Sequence, residues 1–123
     1  MIIINGRNIW PQDLEFMAEQ QPEVRPGDSS AFSVSAPDGH EMAIMVVQCR
    51  EMDDKKREDL VQRLRSLVHK ELSIPCYIEL IPPRTLPRTS SGKLSRSRAK
   101  ADFLTRIQWE DVAPMLSTTA RSA

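Results

Sequence analysis

The chain has 123 residues, 17 Lys/Arg against 17 Asp/Glu, and a composition that is 40% hydrophobic and 28% charged. These values fit one globular domain with a modest core and argue against a disordered or membrane-embedded chain. The neutral total hides an uneven distribution, because residues 1–50 carry three basic side chains against seven acidic ones and residues 82–123 carry eight against three.

Ile2-Ile3-Ile4 is a β-branched run that reads as a strand within a sheet. No turn or cap precedes it, so a cut in a longer chain is expected there. The opening Met-Ile-Ile-Ile lacks a basic flank and a cleavage site, and no apolar run approaches the roughly 18 residues of a membrane span. The expected location is therefore cytoplasmic, with no membrane span. Asn5-Gly6-Arg7-Asn8 reads as a turn. Pro11 suits the first position of a helix over Pro11–Gln21, with Asp13 and Glu15 complementing its positive end. Leu14, Met17, Ala18 and Gln21 share a face that must dock on a sheet, Trp10 is expected to pack, and Glu15 is expected to act in capping.

Beyond a Pro/Gly-rich connector, Ala31–Ala36 alternates Phe32, Val34 and Ala36 with Ser33 and Ser35, which predicts a strand with one buried and one polar face. Pro37-Asp38-Gly39-His40 is a turn signal, with His40 solvated in it, and the nearly all-apolar Met42–Cys49 is the more central strand of a hairpin. Asp53 or Asp54 caps a helix over Lys55–Leu72, whose Leu60, Val61, Leu64, Leu67, Val68 and Leu72 form the main core stripe. Ser73-Ile74-Pro75 ends that helix, Cys76–Ile81 is the last strand, and Pro82-Pro83 breaks it. Cys49 and Cys76 fall in apolar runs, read as buried hydrophobes and make no metal pattern. The expected fold is α+β: a small three-stranded sheet flanked by about three helices, plus a short N-terminal strand segment. Residues 1–108 form the domain, and residues 109–123 are expected to be a partly disordered tail.

Chemistry concentrates in Thr85–Arg96, T-L-P-R-T-S-S-G-K-L-S-R. Pro87 and Ser90-Ser91-Gly92 disfavour regular structure, so Lys93 is expected at the tip of a turn pivoting on Gly92. Ser95 suits the N-cap of a short helix carrying Arg96, Arg98 and Lys100 in its first turns. Arg84, Arg88, Lys93, Arg96, Arg98 and Lys100 together form an anion-seeking stretch for a phosphate or carboxylate, although a solvated surface lysine remains open on the residues alone. A Walker loop is excluded, because Pro87 stands where it needs glycine and Leu94 where it needs a hydroxyl. Neither a nucleophile elbow nor metal-ligand spacing stands out. A small anion- or RNA-binding module is the rival from another class; against it, residues 82–102 hold no Phe, Tyr or Trp to stack on bases.

The run Leu86-Pro-Arg-Thr-Ser-Ser-Gly-Lys-Leu-Ser-Arg96 resembles the lysine motif near the C-terminus of adenylate-forming enzymes, the superfamily of acyl-CoA synthetases and peptide-synthetase adenylation domains. Ile2-Ile-Ile-Asn-Gly-Arg-Asn-Ile-Trp-Pro-Gln-Asp-Leu-Glu15 is similar to the segment opening the C-terminal domain of that superfamily, in the form typical of fatty acyl-AMP ligases. The resemblance covers Ile2 to about Leu104. It implies a mobile C-terminal domain that is catalytically inactive alone and works with a large N-terminal domain binding most of the ATP, the Mg2+ and the fatty acid. It also implies two steps, acyl-AMP formation and then transfer to the phosphopantetheine of an acyl carrier protein or polyketide synthase.

By this resemblance Lys93 is the catalytic residue of the first step and, with weaker roles for Gly92 and Ser91, contacts ATP and acyl-AMP. Gly6, Arg7 and Asn8 form a loop facing the active site in the second conformation. Many CoA ligases carry a lysine where Ile3 stands, so the resemblance favours acyl-AMP formation for a carrier protein. An acyl-CoA ligase and an amino-acid adenylation domain remain as alternatives, and no nucleic-acid partner is expected.

Overall fold

The computed structural model describes residues 2–4, 6–25, 27–35, 39, 41–86 and 95–107. The elements run β1 (Ile2–Ile4), β2 (Arg7–Ile9), α1 (Pro11–Glu19), β3 (Ser29–Ser35), β4 (Glu41–Gln48), α2 (Asp54–Leu72), β5 (Cys76–Ile81) and α3 (Arg96–Arg106). The α+β expectation holds: β3, β4 and β5 form a three-stranded sheet in that order, and β1 and β2 form a separate two-stranded one.

Local chemistry sets the helix boundaries. Pro11 opens α1, where its missing N–H has no partner to lose. Asp53 caps α2 by accepting the Lys56 N–H at 3.0 Å, and Ser73 closes it in the left-handed region at φ 58°. Ser95 caps α3 by accepting the Arg98 N–H at 3.2 Å. The hairpin of β3 and β4 is antiparallel with Phe32 opposite Ile44, whereas β5 joins β4 in parallel with Tyr77 opposite Ile44. A parallel neighbour requires a crossover, and α2 supplies it.

Two expectations are corrected here. Arg7 and Asn8 are not confined to a turn. With Ile9 they form β2, where Ile9 pairs with Ile2 and Arg7 with Ile4, and Gly6 turns the hairpin at φ 79°. Of the two serines expected on a polar face of β3, Ser35 is exposed at the strand end, but Ser33 is buried, as are Ser29 and Ser30 before it.

The reason is that both faces of the sheet are covered. On one face α1 and α2 bring Leu14, Ala18, Leu60, Leu64 and Val68 against Ala31, Ala43, Met45, Val47 and Ile78. On the other, α3 brings Ala99 and Phe103 against Phe32, Val34, Ile44 and Val46. Phe103 meets the rings of Phe32 and Tyr77 edge-on at 5.7 and 5.9 Å. Central β4 is therefore buried on both sides, as its unbroken apolar run requires. Ile44→Val, which deletes one methylene from a fully buried site, is expected to cost about 1 kcal/mol, read as a lower urea midpoint at unchanged m-value.

Candidate functional site

Lys93, Gly92 and Ser91 lie outside the described residues, as do His40 and residues 109–123. Both ends of the segment that carries Lys93 are described, and each is fixed by one buried or nearly buried polar side chain. At the entry, Gln48 is 3% exposed and its Oε1 accepts the backbone N–H of Thr85 at 2.8 Å and of Leu86 at 2.7 Å. Its Nε2 donates to Asp28 Oδ1 at 3.0 Å, so one side chain ties the end of β4 to the turn after β5 and to the start of β3. Thr85 Oγ1 donates to the Pro82 carbonyl at 2.6 Å, Arg84 takes a left-handed φ of 65°, and Leu86 seals the turn by entering the core under α3.

At the exit, the Arg96 guanidinium forms a two-pronged pair with Glu15, Nε to Oε2 and Nη2 to Oε1, both at 2.7 Å. Glu15 Oε2 also accepts the backbone N–H of Ala31 at 2.8 Å. The carboxylate therefore links α1, β3 and α3, and its hydrogen bonds hold the Arg96 guanidinium above its ordinary pKa. At the far end of α3, Arg106 forks onto Glu79 of β5 at 2.7 and 3.0 Å. Helix α3 is thus clamped at both ends.

Several site expectations change. Glu15 does not cap α1; Asp13 is the acidic residue in the first turn, and Glu15 turns to Ala31 and Arg96. Arg96 is consequently not one of the cations free to meet an anion. Trp10, expected to pack, is 52% exposed at the start of α1, with no side-chain cap bond there. Gly6, Arg7 and Asn8 are exposed on the β1–β2 hairpin, and among the described residues no hydrogen bond or ion pair joins them to either flank of the Lys93 segment. Gln48 was missed by sequence reasoning because it sits in an apolar strand run; its one signal was that a polar residue stands there at all.

Cys49 and Cys76 are buried and free, as expected. Burial pushes the Cys76 thiol up to about 12, so at pH 8 it is expected to react with Ellman's reagent only as fast as the domain opens, with added urea restoring prompt reaction. Among the described residues no group of three or more His, Cys, Asp or Glu is placed to hold a metal ion, and no described helix is long and apolar enough to cross a membrane.

No family model matches the chain. Known proteins do: it is 41% identical over 105 residues to a Caulobacter vibrioides protein named as an acyl-CoA synthetase, covering 85% of this chain and 18% of that one. It is 35% identical over 116 residues to the medium-chain-fatty-acid–[acyl-carrier-protein] ligase JamA of Moorena producens, covering 89% of this chain and 19% of JamA. A solved fatty acyl-adenylate ligase, from E. coli or L. pneumophila, superposes with a TM-score of 0.75 at 45% identity, over 85% of this chain and 18% of that one. The chain belongs to the adenylate-forming ligase family. It spans about a fifth of the length of the relatives it matches, so this ligase chain corresponds to one part of such an enzyme. Adenylate-forming ligases use ATP, generally with Mg2+. The described acidic side chains of this ligase chain do not form a metal-holding set, and no role for Mg2+ is assigned to them.

Proposed function

We propose that the chain is the mobile C-terminal domain of a cytoplasmic fatty acyl-AMP ligase, and that it delivers Lys93 to an active site whose remaining walls belong to the partner N-terminal domain. The observation that carries this reading is the double anchoring of the Lys93 segment, by Gln48 at Thr85 and Leu86 and by Glu15 at Arg96. Fixed ends on both sides of the segment suit a lysine that must be delivered to one place, whereas a solvated surface lysine would need no such framing.

In the proposed reaction an oxygen of the fatty carboxylate attacks the α-phosphorus of ATP. The new O–P bond forms as the bond to the leaving pyrophosphate breaks. Negative charge accumulates around the phosphorus during this exchange, and the Lys93 ammonium stabilises it once the closed site has excluded water. Lys93 acts by charge and needs no proton transfer; Gly92 and Ser91 bring the backbone beside the phosphate. After a domain rotation, Gly6, Arg7 and Asn8 would face the acyl-AMP while the sulfur of a carrier-protein phosphopantetheine thiol, giving up its proton to solvent, bonds to the acyl carbon and the C–O bond to the departing AMP breaks. Ile3, Trp10 and Phe16, each more than half exposed near the N-terminal hairpin and α1, would supply apolar surface for the N-terminal domain.

The test incubates the complete ligase with a fatty acid, ATP and Mg2+, detects acyl-AMP by mass spectrometry, and then offers either a holo acyl carrier protein or CoA. The reading predicts acyl-AMP formation by the complete ligase, none by the 123-residue chain alone, and faster transfer to the carrier. No acyl-AMP from the complete ligase would refute the proposal. Faster transfer to CoA would replace the carrier-protein assignment with that of an acyl-CoA ligase.

A further inference from the structure

At the edge of the sheet where parallel β4 and β5 both end, an open groove of about 360 Å³ is lined by Arg25, Asp28, Gln48, Arg50, Pro83, Arg84 and Leu86. Ligands of sheets with parallel strands characteristically sit beyond the carboxyl ends of those strands. The lining is unusual in its arginines. Four other arginines are held by named partners: Arg63 by Glu23, Arg96 by Glu15, Arg106 by Glu79 and Asp102, and Arg57 by the carbonyls of Glu51 and Leu80. Arg25, Arg50 and Arg84 are exposed, make no side-chain hydrogen bond or ion pair among the described residues, and share this one groove.

Three arginines face one carboxylate, Asp28, in this lining, and the surplus of positive charge is unfavourable unless something else neutralises it. The wall is also built rather than incidental. Arg84 adopts a left-handed backbone, φ 65°, without being glycine. The turn holding it there is locked by Gln48 at Thr85 and Leu86 and by Thr85 at Pro82. Asp28, the one carboxylate in the lining, has Oδ1 engaged by Gln48 Nε2.

We propose that this groove is a binding site for a compact polyphosphate, a pyrophosphate group either free or at the end of a nucleotide. Guanidinium forks match phosphate oxygens in pairs, and several of them around one concavity suit an anion with many oxygens better than a single carboxylate. The groove lies at the entry to the Lys93 segment, since Leu86 belongs to both. Binding at this site does not rest on the ligase reading, because it is measured on the 123-residue chain without any reaction.

Titration of that chain with sodium pyrophosphate, by calorimetry at fixed ionic strength, should give saturable binding that Arg84→Gln or Arg50→Gln each weakens by about tenfold, the scale of one charge-assisted bond. Arg63→Gln should leave it unchanged, and Asp28→Asn, which removes a charge but keeps an acceptor for Gln48, should tighten it. Thermal melts of each variant establish that the fold survives. Competition by ATP but not AMP would name a nucleotide's terminal phosphates as the source; no competition by ATP would name free pyrophosphate. The proposal is overturned by equal binding of orthophosphate, by Arg84→Gln and Arg50→Gln variants that fold and bind as before, or by tighter binding of an acidic peptide, which would make the groove a protein contact.

Discussion

Glu15→Ala is expected to lower the unfolding free energy of the domain by about 2–3 kcal/mol, or roughly 10 °C in melting temperature. Most of that comes from the backbone N–H of Ala31, a fully buried residue whose hydrogen bond Glu15 Oε2 accepts; left without an acceptor, a buried donor forfeits about 1–3 kcal/mol. The rest comes from the ion pair, whose share is small because the Arg96 side chain is 43% exposed and water replaces its partner readily. The ranking of variants follows. Glu15→Gln keeps an acceptor for Ala31 and should lose only about 1 kcal/mol, and Arg96→Ala should resemble Glu15→Gln more than Glu15→Ala. Urea unfolding of the three variants measures this, and equal losses for Glu15→Ala and Glu15→Gln would show that the charge pair, and not the Ala31 acceptor, dominates.

How much of this was legible in the sequence follows from the range over which each interaction acts. The caps at Asp53 and Ser95 bond to backbone groups three residues away, so short sequence windows contain them whole. Strand β5 was readable over Cys76–Ile81 because Pro75 and the Pro82-Pro83 pair punctuate it. The Glu15–Arg96 pair joins residues 81 positions apart, and nothing near Glu15 distinguishes it from an ordinary helix-start carboxylate.

The serines of β3 were misread for the same reason. Alternation predicts a wet face, and only the docking of α1 and α2 on the Ala31 face, opposite Phe32 and Val34, covers Ser29 and Ser33. Strand β2 was hidden because three residues carry little periodicity, and its register is set by pairing with Ile2–Ile4. The lysine motif was legible as a motif, but its anchors were not: Gln48 reaches Thr85 and Leu86 from 37 and 38 residues away.

Lys93→Ala in the complete ligase is expected to reduce acyl-adenylate formation by about 10² or more, the effect of removing one preorganised donor from a site of developing charge. The substitution falls in a segment whose ends are fixed by other residues, so the melting temperature should hold. Under the proposed function transfer should also hold, because the proposed second step would begin from acyl-AMP already made and use the other orientation of the domain. Gln48→Leu offers the contrasting case: with Lys93 intact, loss of the clamp at Thr85 and Leu86 should lower both stability and adenylation.

The central claim is that this chain supplies the adenylation lysine and not merely a basic surface, and single-turnover measurement of the two half-reactions in the Lys93→Ala ligase tests it most directly. The predicted result is acyl-AMP formation lost by about 10² or more, with thioester formation from preformed acyl-AMP close to wild type. Equal loss in both half-reactions, or full adenylation without Lys93, would contradict it.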